Sequence, residues 1–172
     1  GQVSAVSQIA AEVLGVPLTE GVTYFGDSAV TPLAGTSTAS RALFMSGRAV
    51  RLAASKVRET FLARAAEHFG TTADALDMAD SHAFVVDDAE RKLPLAELAQ
   101  LCAADGLHRS NLSIFKAPFS EGIDPETGQG RVYPDFTFGA HAAEVAVDTE
   151  TGEVKVLKSV GAHDIGQAIN SA

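Results

Sequence analysis

Apolar residues recur at three- and four-residue steps near the start of the chain: Val6, Ile9, Ala10, Val13 and Leu14 in SAVSQIAAEVLG. That spacing gathers them on one helical face, and Gly15 is a natural stop. After the turn region GVPLTEG, the residues VTYFG read as a short strand ending at Gly26, and the aperiodic DSAVTPLAGTSTAS as a loop. A long helix follows over about residues 40–69. Leu43, Val50, Ala53, Val57, Phe61 and Ala65 form its apolar stripe, while Arg48, Arg51, Arg58 and Glu59 fall mostly away from it. Ser40 is its predicted N-cap and Gly70 its C-terminal stop. TTADALDMAD predicts a second, short helix with Thr72 as cap, and HAFVVDD a strand. LPLAELAQLCAADG predicts another short helix, with Leu95, Leu98, Ala99 and Cys102 on one side, and LSIFKA a strand. The polar SEGIDPETGQGRVYPD is a loop. FTFGAHAAEVAVDTETGEVKVLKSVGAHDIG then predicts a hairpin, with Gly152 at the tip of its DTETGE turn. Val145, Val147, Val154, Val156 and Val160 supply its β-branched positions. The predicted class is α+β: a mixed sheet with one long helix packed across it, short helices, and a C-terminal antiparallel hairpin.

Composition narrows the function classes. A chain of 172 residues, 46% hydrophobic and 20% charged, is long enough for one good core or two small subdomains. Its net charge of -9 argues against nucleic-acid partners, which need a basic stripe. No apolar run approaches the ~20 residues that span a bilayer, and no secretory signal is recognisable. Cys102 is the only cysteine, so it can form no intrachain disulfide and cannot hold a zinc or iron–sulfur site alone. That fits a reducing compartment, and the expected location is cytoplasmic. The first residue is Gly1, and the end, HDIGQAINSA, falls within a strand and its turn. The start predicts a chain processed, engineered or cut from something longer, and the end is equally abrupt.

Candidate chemistry concentrates in GTSTASR, residues 35–41. A helix N-terminus offers free amides and partial positive charge, which stabilise an anion. Thr36, Ser37, Thr38 and Ser40 add hydroxyls, Gly35 permits close backbone approach, and Arg41 adds a forked donor suited to phosphate. A surface loop with a Ser cap is the commoner origin of such a pattern. The stretch is not a P-loop, because the glycine–lysine–threonine signature is missing. Gly1 and Gln2 also precede a helix and could present an amide or a carboxamide to a ligand; a plain terminus is the alternative. His163 and Asp164 are adjacent on a strand and point to opposite faces, and no second His lies at metal-like spacing. His141 reads as a satisfied core or edge residue, His68 and His108 as ordinary histidines near a helix end and in a loop. Cys102 reads as a small core residue. DPETG and DTETG lack the ligand spacing of calcium loops. No catalytic residue and no metal ligand is predicted.

Four stretches, in order, resemble the molybdenum-binding large subunit of the xanthine dehydrogenase and aldehyde oxidase family. GQVSAVSQIAAEVLGVPLTEGVTYFGDSAVTP resembles its Gly-Gln-Gly segment, helix, and strand with Gly-Asp-Thr and Thr-Pro. GTSTASRALFMSGRAVRLAA resembles its Gly-Ser-Arg loop and long helix. FTFGAHAAEVAVDTETGEVKV resembles its Phe-Gly-Ala, Glu-Val-Asp and Thr-Gly hairpin, and HDIGQAIN its Asp-Gly-Ile-Asn strand and turn. The resemblance implies a molybdenum–molybdopterin cofactor, often with an attached cytidine nucleotide, at which an aldehyde or N-heterocycle is hydroxylated with oxygen from water. It implies partners too: the rest of the large subunit, iron–sulfur clusters and FAD on other domains or subunits, and an oligomeric assembly. By resemblance, Gly1 and Gln2 approach the pterin end, and Gly35, Thr36, Ser37, Thr38, Ala39, Ser40 and Arg41 line the pterin and phosphate side. Val3 and Ser171 stand where the family has a third glycine and a proline. The family's catalytic glutamate lies downstream, so residues 1–172 are expected to be a single partial molybdopterin-binding domain, inactive alone. The competing expectation is a non-catalytic, degenerate domain with at most a weak phosphate loop.

Overall fold

The computed structural model describes residues 2–117, 122–133 and 135–170, and they fall into two compact units that meet in sequence between Lys116 and Ala117. In the first, helix α1 runs Gln2–Leu14 and buries Val6 and Ile9, as its spacing predicts. Gly15 ends it at φ +65, and the next amide, of Val16, closes back on the Ala11 carbonyl at 3.0 Å. A Cβ on Gly15 would lie 2.3 Å from the Met78 carbonyl oxygen, so only glycine fits where α1 meets the first strand.

Helix α2, Arg48–Phe69, is entered through a π-helical turn at Leu43–Gly47. The turn sets Gly47 against α1: a Cβ there would meet Ile9 Cδ1 at 3.0 Å. Gly70 stops α2 in the left-handed conformation, and its amide and that of Thr71 satisfy the Glu67 and Ala66 carbonyls. Ser40 opens the helix by offering its carbonyl to the Phe44 amide at 3.0 Å. Its hydroxyl caps no amide among the described residues.

Strands β1 (Leu76–Ala79), β2 (His82–Val85) and β3 (Asp88–Pro94) form an antiparallel meander, followed at once by α3, Leu95–Ala104. TTADALDMAD is therefore not a helix. It makes one 3-10 turn at Ala73–Ala75 and then β1, where Leu76 and Met78 are buried and Asp77 and Ala79 exposed. That two-residue alternation was the stronger local signal. β3 went unpredicted because DAERK is polar and exposed, with only Leu93 buried. The core lies between α2, the meander and α3; Phe61, Ala65, Met78, Ala83, Leu98 and Cys102 are among its members. Burial pushes the Cys102 thiol up, with Arg64, Asp105 and Arg109 as smaller influences, which suits the core role read from sequence.

Ionic contacts tie the elements together. Arg58, expected off the apolar stripe, reaches the Val13 carbonyl at 3.2 Å in the last turn of α1, the Met78 carbonyl at 3.5 Å, and the Asp77 carboxylate. Burial raises the Asp77 pKa, but the Met78 amide and the Arg58 guanidinium outweigh it and leave the group below its ordinary 3.8. Arg64 pairs with Asp105 beyond α3, and Arg91 donates to the Phe69 carbonyl at 2.6 Å, at the end of α2.

VTYFG and LSIFKA belong to no strand, so these two expectations fail: neither has a ladder partner among the described residues. Residues 118–119, between the predicted strand and loop, and 120, 121 and 134, within the predicted loop, lie outside the described residues, as do Gly1, Ser171 and Ala172.

In the second unit, strands β4 (Phe138–Val147) and β5 (Val154–Asp164) make the predicted hairpin. Asp148 holds its turn by accepting the Thr151 and Glu150 amides at 3.1 and 2.8 Å, and these bonds lower its pKa. Glu144 pairs with Lys158 but Val145 with Val156, so Leu157 is a bulge. The α+β class holds, and the expected mixed sheet resolves into two antiparallel sheets. No helix among the described residues is long and apolar enough to cross a membrane.

Candidate functional site

Residues 35–41 form an exposed loop at the mouth of the long helix. Gly35 takes φ +75 and Ala39 φ +46. The first suits glycine; the second is a conformation that an L residue adopts at a cost of roughly 1 kcal/mol. Arg41 folds back over its own loop. Its Nη1 donates to the Ala34 and Thr36 carbonyls at 3.2 and 2.9 Å, and the guanidinium lies 3.2 Å from where a Gly35 Cβ would be. A side chain at position 35 would therefore push the guanidinium out of place. Nη2 and Nε of Arg41, and the hydroxyls of Thr36, Thr38 and Ser40, make no hydrogen bond among the described residues.

Gln2 opens α1, 35 residues from Ser37 in sequence, yet its Nε2 donates to Ser37 Oγ at 2.8 Å. The two helix starts also share a cleft of about 240 Å³, lined by Gln2, Ala5 and Val6 of α1, Phe25 of VTYFG, and Ala42 and Leu43 at the entry to α2. The structure thus brings together Gln2 and residues 35–41, two predicted stretches with no local reason to meet. Gly1 lies outside the described residues. Chemically the arrangement offers amide and hydroxyl donors, a fork of guanidinium donors and two positive helix ends, all beside an apolar floor. Among the described residues, the cleft lining and residues 35–41 include no Asp, Glu, His, Cys or Lys. Among the described residues no three His, Cys, Asp or Glu side chains gather to hold a metal ion.

Sequence reading missed three features here. The π-helical turn has no residue signature of its own, although such turns recur at functional sites. Phe25 lines the cleft although VTYFG forms no strand, and nothing in that stretch marks it out. Arg48 lies 4.8 Å from the Phe44 ring centroid and 5.4 Å from that of Phe115, and the two rings meet edge to face at 5.7 Å. That cluster packs Phe115 and Arg48 against Phe44 of the π-helical turn.

The comparison with known families bears on this arrangement. Over residues 1–172 the sequence matches the family described as the molybdopterin cofactor-binding domain, and the chain belongs to that family. Among its relatives is the nicotine 6-hydroxylase large subunit of Paenarthrobacter nicotinovorans, 30% identical over 171 residues, which are 99% of this chain and 20% of that protein. A probable xanthine dehydrogenase component of Bacillus subtilis (strain 168) is 32% identical over 161 residues, 91% of this chain and 20% of the relative. The crystal structure of a Cu,Mo-CO dehydrogenase shares the fold with a TM-score of 0.74 at 23% identity, over 99% of this chain and 21% of that one. The resemblance to molybdenum hydroxylase large subunits is borne out, and the chain spans about a fifth of the length of these relatives.

Proposed function

We propose that this chain forms one wall of the molybdenum–pterin site of a hydroxylase similar to xanthine dehydrogenase and aldehyde oxidase, with Gln2 and residues 35–41 facing the cofactor. The observation that carries the proposal is the Gln2–Ser37 hydrogen bond, which joins the starts of two helices beside an apolar cleft. The residues fit such a group. Gly35 leaves room for the Arg41 guanidinium to fold over the loop, the Gln2 carboxamide retains an acceptor for the polar edge of a pterin, and Arg41 retains Nη2 and Nε for a phosphate. Thr36, Thr38 and Ser40 supply further hydroxyl donors, and the free amides at the start of α1 and at the Arg41–Ala42 helix start that leads into α2 favour negative charge. Gly1 belongs to the same proposal by its place beside Gln2. When bound, the cofactor supplies the redox centre at which an aldehyde or N-heterocycle is hydroxylated with water-derived oxygen. The cytidine-bearing form of the cofactor, electron transfer to iron–sulfur clusters and FAD on partner subunits or domains, and inactivity of residues 1–172 alone are parts of the same reading. It draws support from the small share of each relative that the chain covers.

A second reading, a non-catalytic domain with at most a weak phosphate loop, is favoured by one observation: Arg41 Nη1 is already engaged with its own loop carbonyls. Arg41→Ala in the full-length subunit separates the two. Loss of a charge-assisted contact worth about 1.5–3 kcal/mol lowers cofactor retention roughly tenfold or more. Arg51→Ala, on the exposed side of α2, leaves it unchanged. Equal molybdenum and pterin content in both variants would overturn the cofactor reading.

A further inference from the structure

We propose that His141 and His163 form a two-histidine site for a divalent transition metal with tetragonal preference, copper(II) or nickel(II), on the exposed face of the hairpin. The two residues are 22 positions apart, and their Nε2 atoms lie 2.8 Å from each other, with ring centroids at 4.7 Å. The register explains the meeting. His141 pairs across the ladder with Gly161, and His163 with Gly139, so each imidazole stands opposite a residue without a side chain. Both rings lean over these glycines along the diagonal. A Cβ at Gly139 would lie 2.7 Å from His163 Nδ1, and one at Gly161 would lie 3.2 Å from His141 Cε1. The glycines therefore make the pair possible, and their bare backbone is the floor on which the rings rest.

The separation is that of a hydrogen bond, and it places both nitrogens close enough to share one ion. Two nitrogens each ~2.0 Å from one ion and at right angles are ~2.8 Å apart, whereas a tetrahedral angle opens that edge to ~3.3 Å. From 2.8 Å the right-angled edge needs no movement and the tetrahedral edge a shift of only about 0.5 Å, so intrinsic affinity decides, and copper(II) leads the divalent series. Imidazole is a preferred ligand of both copper and nickel. In the neutral pair one Nε2 donates its proton to the other. On metal binding the donor ring takes the Nδ1–H tautomer, so both Nε2 lone pairs become available without net proton release. His141 and His163 are exposed. No third protein ligand stands near among the described residues, so water completes the coordination. The site lies in the second unit and does not depend on the cofactor reading.

The test is titration of the full chain with Cu²⁺ alone, followed by calorimetry and electron paramagnetic resonance. One equivalent binds with hyperfine structure from two nitrogens. His141→Gln or His163→Gln weakens binding roughly 10²-fold, the advantage expected of a second ligand already in place. Gly139→Val keeps both imidazoles but occupies the floor under His163, and it weakens binding too. His68→Gln, His82→Gln and His108→Gln leave affinity unchanged. Affinity that survives loss of either His141 or His163, or a one-nitrogen signal, overturns the proposal. If the glutamine variants disturb the hairpin, the unaltered chain still decides by nuclear magnetic resonance. Sub-stoichiometric Cu²⁺ that selectively broadens the His141 and His163 ring signals together supports the site, and broadening spread over all five histidines overturns it.

Discussion

Arg58→Ala tests the reasoning about the first unit at the place where three elements meet. Arg58 lies on α2, a quarter exposed, and joins the last turn of α1 to β1 through the Val13 carbonyl, the Met78 carbonyl and Asp77. Asp77 is about half exposed, so solvent screening limits the ion pair to about 0.5–1 kcal/mol. The charge-assisted bond to a carbonyl at the negative end of α1 contributes about 1 kcal/mol. Removal of the half-buried alkyl stem costs about 0.5–1 kcal/mol more. The variant is therefore less stable by about 2–3 kcal/mol. Unfolding entropy near 2.1 cal/mol/K per residue makes each kcal/mol worth about 4 °C for a unit of this size, so Tm falls by about 8–12 °C. Scanning calorimetry at pH 7 measures it, with exposed Arg51→Ala as a reference expected to change stability by less than ~0.5 kcal/mol. A second arm uses pH. Asp77 has a folded pKa below its unfolded value, so its contribution is complete above about pH 4 and is lost as pH falls through the lowered folded value. In Arg58→Ala the Met78 amide bond remains, so this acid-side loss shrinks without vanishing. A Tm change under ~2 °C, or one equal to that of Arg51→Ala, refutes the stapling role.

Two glycines with nearly the same backbone conformation should respond differently to alanine. Gly70→Ala meets nothing within 4 Å and carries only the left-handed penalty, so urea unfolding shows a loss of about 1 kcal/mol. Gly15→Ala carries that penalty and a contact at 2.3 Å with the Met78 carbonyl, so its loss exceeds ~3 kcal/mol. Equal losses in the two variants would mean that the α1–β1 junction yields easily.

Much of the fold is legible where periodicity and punctuation agree. Gly15, Gly70 and Gly152 each take a left-handed conformation at a predicted stop or turn, and α1, α2, α3, β2 and the hairpin follow. The misreadings have local causes. Alternating Leu76 and Met78 were overruled by the helix-forming residues around them. VTYFG and LSIFKA have strand composition, but composition cannot supply a ladder partner. Arg58 looked like a solvent-facing charge because its carbonyl partners come from elsewhere in the chain. The site divides in the same way. Residues 35–41 could be nominated from helix-end chemistry, whereas the Gln2–Ser37 bond depends on how α1 packs against the entry to α2. The His141–His163 pair needs the hairpin register and its glycines, which no count of sequence spacing contains.

The central claim is that residues 35–41 and the start of α1 face the cofactor. Amide hydrogen exchange of the full-length subunit, compared with and without cofactor, tests it most directly. Cofactor should slow exchange roughly tenfold or more at residues 35–43 and in the first turn of α1, while the amides of β1–β3 remain as they were. Unchanged exchange at residues 35–43 between the loaded and cofactor-free subunit would contradict the account.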